Sequence, residues 1–532
     1  MQPKPAKQPQ PDELHNLHQL YQGGHLAPAE IKAKALLRTY PKSVALYNLL
    51  AMCQQRQGKL QEAADNFRKL LAIDSTIAEI HFNLGAIRTQ LNDQKAAIAS
   101  YRKALQLKPE LTPAYFNLGA LLQAQGQLQE AARHYQKAVE LQPGFFEALA
   151  NLGTVLQQLG RLAEAERCYR RALELRPDEA RGHFNLATVL YGQGLHEQAV
   201  DEFNAALRLE PDFADAWNSL GETRRDQGQM DEAVRCYRQA LAVQPAHSRA
   251  QYNLGEFYCL AGHWGEAIAC FDATDFADAK ERVLQCLYKT GQFEPFKTRL
   301  DGLQAQRSHT SILLGTLSTH YAINFRQDNP YRFCREPMNY VVHTRIDELA
   351  AADSPLLQAL LHDIQHLAIA ERKQGRLFYG MQSAGNLLQR PELSFQQLAG
   401  LLRNQIRQYR QHFAGSLDEL ILAFPREIEF ASSWYLRMNQ GGYLTSHIHE
   451  EGWISGCVYL KLPEKNGAHE GSFEYGVDGD DYPRLHDDFP SRIVDQAVGD
   501  LVLFPSSLFH RTLPFQSDQE RVCVAFDVKP GH

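Results

Sequence analysis

The sequence predicts an α+β multidomain chain: an N-terminal array of paired helices that winds into a superhelix, then a helical bridge, then a C-terminal sandwich or jelly roll of β-strands. Three observations predict it. Small residues, glycines and prolines recur every 34 residues through the first half of the 532-residue chain. Apolar residues keep a helical spacing after that recurrence ends. In the C-terminal segment the pattern changes to short runs rich in β-branched and aromatic residues, bounded by Gly, Pro, Asp and Asn.

The length is too great for one compact core, so several domains are expected. With 44% hydrophobic and 22% charged residues the composition is that of a soluble globular protein. A net charge of -7 gives no basic excess to grip nucleic acid or an anionic membrane. No apolar run is long enough to span a bilayer. Residues 1–11 lack the apolar core of a secretory signal and read as a disordered lead. The nine cysteines are scattered without a Cys-x-x-Cys pair, which suits reduced core residues of a cytoplasmic protein.

Four grids define the repeat. Gly85, Gly119, Gly153, Gly221 and Gly255 share one, with Ala51 and Ala187 in the remaining slots. These small side chains let two antiparallel helices approach closely. Ala63, Ala97, Ala131, Ala165, Ala199, Ala233 and Ala267 form a second grid of the same kind. Gly58, Gly126, Gly160, Gly194, Gly228 and Gly262, with Asn92, fall between the two helical patterns, where a left-handed residue ends a helix. Pro109, Pro143, Pro177, Pro211 and Pro245 stop the second helix of each unit. The pattern resembles the tetratricopeptide repeat, with seven clear units from about residue 44 and a degenerate one before them, so that repeats occupy 12–280. Such units stack into a superhelix whose concave face often binds peptide.

Asn83, Asn117, Asn151, Asn185 and Asn253 stand two residues before the small-residue slot. The column resembles the asparagine ladder in the groove of O-linked GlcNAc transferase. An asparagine amide carries donor and acceptor and suits an extended peptide backbone. The same residues equally suit a bridge between neighbouring helices. A protein or peptide partner is the expectation, with no nucleic acid and no membrane.

Residues 281–425 read as the bridge that buttresses the last domain. Helical patterns such as Leu356-Leu-Gln-Ala-Leu-Leu persist there, interrupted by turn chemistry at Asp328-Asn-Pro. Residues 426–532 read as strands.

His447 and His449 are two apart, so on a strand both rings point to one face. A third imidazole, His510, comes from a distant strand, and Arg521 follows it on the next. Imidazole suits zinc, copper, iron and nickel. That set can hold one metal and one anionic co-substrate.

The pattern His-x-His, Gly-Asp-Leu-Val-Leu-Phe-Pro-x-x-x-x-His and an Arg eleven residues on resembles the double-stranded β-helix of Fe(II)/2-oxoglutarate oxygenases. It is closest to the bacterial family that carries tetratricopeptide repeats in front. Trp434, Gly441-Gly-Tyr and Trp453-Ile-Ser-Gly456 extend the resemblance upstream. It implies His447 and His510 as iron ligands, Arg521 on the distal carboxylate of 2-oxoglutarate, and dioxygen as the oxidant. Arg suits that carboxylate because its planar fork makes two parallel hydrogen bonds. Tyr443 is a candidate hydrogen-bond partner of the co-substrate, or a packing residue.

The chain departs from the usual two-His, one-carboxylate triad, because His449 fills the carboxylate slot. Strand alternation favours His449 as third ligand. Glu450 or Glu451 would replace it if a bulge shifted the register, and Asp487 or Asp488 would do so from a loop. Zinc also accepts three imidazoles. The resemblance implies a dioxygenase that hydroxylates a protein or peptide. The competing expectations are a repeat-based scaffold with a degenerate oxygenase domain, and a cupin-like metal dioxygenase that does without 2-oxoglutarate. A glycosyltransferase is disfavoured, since no Gly-rich nucleotide-binding pattern follows the repeats.

Overall fold

The structure, a computed structural model, describes residues 8–305, 310–367, 369–372 and 375–529. Most of the expected disordered lead, residues 1–7, lies outside the described residues; the first helix starts at Pro11. The chain divides into two compact units, Met1–Ala250 and Gln251–His532.

The first unit is helical. From Val44 to Val243 helices of 13 and 14 residues alternate, one pair to each 34-residue unit, and Pro11–Gln22 with Leu26–Thr39 forms a pair ahead of them. The turn glycines of the predicted grid have φ between +72° and +78°, and Asn92 has φ 60°, the left-handed conformation that closes each first helix. The helix-face glycines have a different job. A Cβ on Gly119 would stand 2.9 Å from the Tyr135 ring, and one on Gly153 2.8 Å from Tyr169. An aromatic sixteen residues after each small-residue slot therefore fills the space the slot leaves open. Tyr101, Tyr135, Tyr169, Phe203 and Tyr237 are all buried by this arrangement. The last pair of the recurrence, Ser248–Leu260 and Trp264–Asp272, places Ala267 and Phe271 in the core of the second unit.

The second unit wraps helices around an antiparallel jelly roll. Its strands are β1 (Val342–Arg345), β2 (Glu371–Arg372), β3 (Leu377–Ser383), β4 (Phe430–His447), β5 (Ile454–Lys461), β6 (Phe473–Gly476), β7 (Ser491–Val494), β8 (Asp500–Pro505), β9 (Phe509–Thr512) and β10 (Arg521–Val528). They pair in the order β1-β8-β5-β10-β4-β9-β6-β7, with β3 also on β4 and β2 on β3. The long strand β4 changes partners along its length. Its first part pairs with β10 (Trp434 with Ala525), and its end pairs with β9 (His447 with His510). β1 and β3 come from the segment read as a helical bridge, so that segment contributes strands as well as helices.

Both faces of the central strands are covered. Cys457, Tyr459, Val502, Phe504, Cys523 and Ala525 form an inner core with Phe473 and Tyr475. The alternate residues Val458, Leu460, Leu501, Leu503, Val522 and Val524 belong to a second core, which also holds Leu398, Leu402 and Ile406 of the helix Leu393–His412. That is why β8 and β10 read as continuous apolar runs rather than as clean alternation. A second helix, Ile312–Asn324, is buried almost all round, and Thr316 Oγ1 donates to the Ser507 carbonyl at 2.7 Å, fixing the turn that leads into β9.

Candidate metal centre

β4 ends at His447, which sits directly across from His510 on β9. Their rings lie 4.3 Å apart, and both residues are only 6% exposed. The register shifts between Leu444 and His447, an irregularity in the strand just before the first imidazole. His449 stands just beyond the strand end. Its ring is 5.1 Å from that of His447 and 4.8 Å from that of His510, and its Nε2 is 3.2 Å from His447 Nε2. One nitrogen from each of the three residues lies within 4.8 Å of the others.

The outer nitrogens decide which atoms are free. His447 Nδ1 faces the Thr445 carbonyl at 2.9 Å, and His510 Nδ1 faces the Leu508 carbonyl at 3.2 Å. His449 Nδ1 faces Asp527 Oδ1 at 2.6 Å. Carbonyl and carboxylate oxygens only accept, so each Nδ1 carries the proton and each Nε2 keeps its lone pair. Three such nitrogens turned to one point make a ligand set, and oxygen partners behind imidazoles are the usual outer layer of a metal site. Burial, with His449 alongside, depresses the His447 imidazole to about 3. Burial, with His447 and His449 nearby, holds His510 well below the usual range. Both rings are therefore neutral and need lose no proton to bind an ion.

Asp527 is the organiser. Burial pushes its carboxyl up, but the His449 ring and the Ser455 and Ser432 hydroxyls outweigh this and hold it below its ordinary value. Ser455 Oγ donates to Oδ1 at 2.7 Å and Ser432 Oγ to Oδ2 at 2.9 Å. The His449 backbone N–H donates to the Ser506 carbonyl at 3.1 Å. Gly452 makes room for this network: a Cβ there would stand 2.7 Å from Ser506 Oγ and 2.9 Å from Asp527 Oδ1.

Arg521 lies on the same strand, on the same inward face as Cys523, Ala525 and Asp527. It is 1% exposed. Its Nε donates to the Gly471 carbonyl at 3.2 Å, its terminal nitrogen reaches Cys523 Sγ at 3.3 Å, and its guanidinium lies 5.2 Å from the centre of the Tyr459 ring. Among the described residues no carboxylate pairs with it. The Tyr459 hydroxyl is buried and finds no oxygen or nitrogen partner. A buried guanidinium near a hydroxyl with no oxygen or nitrogen partner fits an incoming carboxylate.

The other sequence candidates lie elsewhere. Tyr443 stacks flat on Phe378 of the neighbouring strand, ring centres 4.6 Å apart. Glu450 is engaged by Arg282, at 2.6 and 3.2 Å. Asp488 pairs with Arg326 at 2.7 Å, and the Asp487 side chain is 97% exposed. Asn83, Asn117, Asn151, Asn185 and Asn253 are all half-buried. Asn117 donates to the Tyr101 hydroxyl at 3.4 Å and Asn151 to that of Tyr135 at 3.3 Å, each across to the preceding unit. Asp527 and Tyr459 were not anticipated as site residues. The signal for Asp527 was present, as an acid on the inward face of an otherwise apolar strand.

Residues 432–527 match the family described as "Putative 2OG-Fe(II) oxygenase". Tetratricopeptide families match 19–76, 86–126, 112–145, 134–167, 151–212, 184–234 and 218–281. No curated protein was found to match the chain. Among solved structures, the chain is similar to YrrB, titled a TPR protein with an unusual peptide-binding site, at 26% identity and TM-score 0.33, over 35% of this chain and 96% of that one. It is similar to a MamA protein at 24% identity and TM-score 0.31, over 32% and 93%. A third match is the C-terminal part of a TPR repeat-containing protein from Cytophaga hutchinsonii, at 16% identity and TM-score 0.40, over 44% and 97%.

Proposed function

We propose that this tetratricopeptide-repeat protein with a C-terminal oxygenase domain is an Fe(II)/2-oxoglutarate-dependent dioxygenase that hydroxylates a protein or peptide recruited by its repeats. The observation that carries the reading is Arg521, a buried cation that meets the Cys523 sulfur but no carboxylate among the described residues, on the strand whose other end orients His449. The three imidazoles alone would suit zinc or a cupin-like enzyme equally well. A guanidinium without a carboxylate partner among the described residues favours a co-substrate with a free carboxylate.

His447, His449 and His510 would hold the ion through Nε2, leaving positions open for other ligands. Bound iron and 2-oxoglutarate would supply the oxidising chemistry: dioxygen is divided between succinate, formed with loss of carbon dioxide, and a C–H bond of the substrate. Arg521 takes the far carboxylate of the co-substrate, with the Tyr459 hydroxyl as a second donor. Asp527 and the Thr445 and Leu508 carbonyls keep the imidazole rings in one tautomer. Phe473, Phe504 and Trp434 flank the imidazoles and keep water away. The asparagine column is proposed to meet the peptide backbone, with Asn117 and Asn151 offering amide oxygens beside the NH2 groups that contact tyrosine.

The test is 2-oxoglutarate decarboxylation by purified protein loaded with iron, beside anaerobic spectra of the same sample. A weak visible charge-transfer band and succinate formation are expected, and both vanish in His510→Ala. Absence of both in a protein that binds iron would leave the scaffold reading. Turnover that survives Arg521→Ala unchanged would favour the enzyme without 2-oxoglutarate.

A further inference from the structure

We propose that Cys259 and Cys286 form a redox couple that closes to a disulfide when the protein meets a hydroperoxide. Cys259 lies near the end of the helix Ser248–Leu260, and Cys286 lies on the helix Ala279–Lys289. Their sulfur atoms are 3.3 Å apart, the separation of a thiol–thiol hydrogen bond and a short step from a bond.

The two thiols differ in the way such a couple needs. Cys259 is half-buried and within reach of a small oxidant, whereas Cys286 is fully buried and held in place as the resolving partner. The hydrogen bond from Cys286, helped less strongly by the Arg282 guanidinium, outweighs burial and holds the Cys259 thiol below its ordinary value. Arg282 stays charged because Asp278 and Glu450 flank it, at 2.9 and 2.6 Å. A thiolate that is accessible and has a second thiol beside it is the type of cysteine that oxidises selectively. Cys270 is nearby, but burial pushes its thiol up to about 11, so it is a poor competitor.

The chemistry balances. The Cys259 thiolate attacks the peroxide oxygen, the O–O bond breaks, and with one proton water or an alcohol leaves, giving a sulfenic acid. Cys286 sulfur then attacks the sulfenic sulfur, loses its proton, and expels water. Two thiols have lost two electrons to one peroxide. The helix that carries Cys286 also carries Arg282, which grips Glu450, the residue after His449. A bond at Cys286 therefore forms one turn from a residue that steadies the proposed metal loop.

The test uses the full-length, metal-free protein, reduced and desalted, then treated with one equivalent of hydrogen peroxide, blocked with N-ethylmaleimide and mapped by mass spectrometry. The expected product is a Cys259–Cys286 linked peptide, two hydrogens lighter, that dithiothreitol reverses. Cys168 is the internal control, similarly half-buried but with its thiol pushed up to about 11, and it should stay fully labelled. Cys286→Ser should leave Cys259 as a sulfenic acid trapped by dimedone. A link to Cys270, labelling of Cys259 equal to that of Cys168 after peroxide, or no dimedone adduct in folded Cys286→Ser would each overturn the proposal.

Discussion

Replacing Asp527 by asparagine isolates what its charge does for the metal centre. The side chain keeps its shape, so an amide oxygen in place of Oδ1 still accepts from His449 Nδ1, 2.6 Å away, and from Ser455 Oγ, 2.7 Å away. The new NH2 still meets Ser432 Oγ, which lies 2.9 Å from Oδ2 and accepts as well as donates. What is lost is the charged character of the bond to the imidazole. Hydrogen bonds to charged groups contribute about 1.5–3 kcal/mol against about 0.5–1.5 for neutral ones. A loss of about 1.4 kcal/mol in the hold on the His449 ring is a tenfold loss of metal affinity. Asp527→Ala removes the acceptor altogether, and the expected loss rises toward a hundredfold. It also takes an acceptor from the buried Ser455 hydroxyl and from the half-buried Ser432 hydroxyl, so its melting temperature should fall. The assay is anaerobic titration of Fe(II) or Co(II) against a chromophoric chelator, with circular dichroism to confirm the fold. If folded Asp527→Asn and Asp527→Ala both bind metal as tightly as the parent, His449 is not a ligand and the assignment collapses.

Arg521→Ala should raise the 2-oxoglutarate concentration needed for turnover by about a hundredfold, since a buried charged pair is worth several kcal/mol, while metal affinity is unchanged; loss of iron would contradict its role. Asn117→Ala with Asn151→Ala should weaken capture of a peptide substrate, read by pull-down with an inactive His510→Ala background, and leave uncoupled 2-oxoglutarate turnover alone; a lowered melting temperature with intact capture would make the column purely a helix bridge. Gly153→Ala should destabilise the first unit by about 1–3 kcal/mol in urea unfolding, because its Cβ would stand 2.8 Å from a Tyr169 ring that has nowhere to go. Glu30 has its own pH signature. Burial works against its charge, but Lys34 and Lys59, 2.6 and 2.7 Å away, with Gln54 and Gln57, hold its carboxyl down to about 2. A carboxylate depressed in the folded state stabilises above the unfolded value near 4.5 and loses that contribution as pH falls toward 2. Glu30→Gln should therefore flatten the pH dependence of unfolding between those limits, and an unchanged profile would refute the assignment.

The repeats were legible because each grid has one local cause. A turn needs a left-handed residue, a helix pair needs a small contact, and a helix end tolerates proline. The aromatic partner of the small slot went unread because its role exists only once two helices meet, as Gly153 and Tyr169 do. The two central imidazoles were legible because strand spacing and their distant partner His510 appear in the sequence. The irregularity between Leu444 and His447 was not, and neither was the placement of His449 beyond the strand end. His449 is held there by Asp527 and the Ser506 carbonyl, contacts that exist only in the folded chain. β1 and β3 were hidden inside the segment read as helical, because four and seven residues give too few alternations to outweigh the helices around them.

Strand β10 carries Arg521 at one end and Asp527 at the other, both on one face. Slipping its pairing with β4 and β5 by a single position would turn the two away together, exchanging them for Val522 and Val528 or, in the other direction, for Glu520 and Phe526. Misthreaded molecules would thus lose the proposed anion anchor and the support of His449 at a stroke, rather than retain a half-working pocket. Iron uptake becomes a gauge of correct folding, and a preparation that loads metal poorly should be checked for a mispaired last strand before its chemistry is questioned.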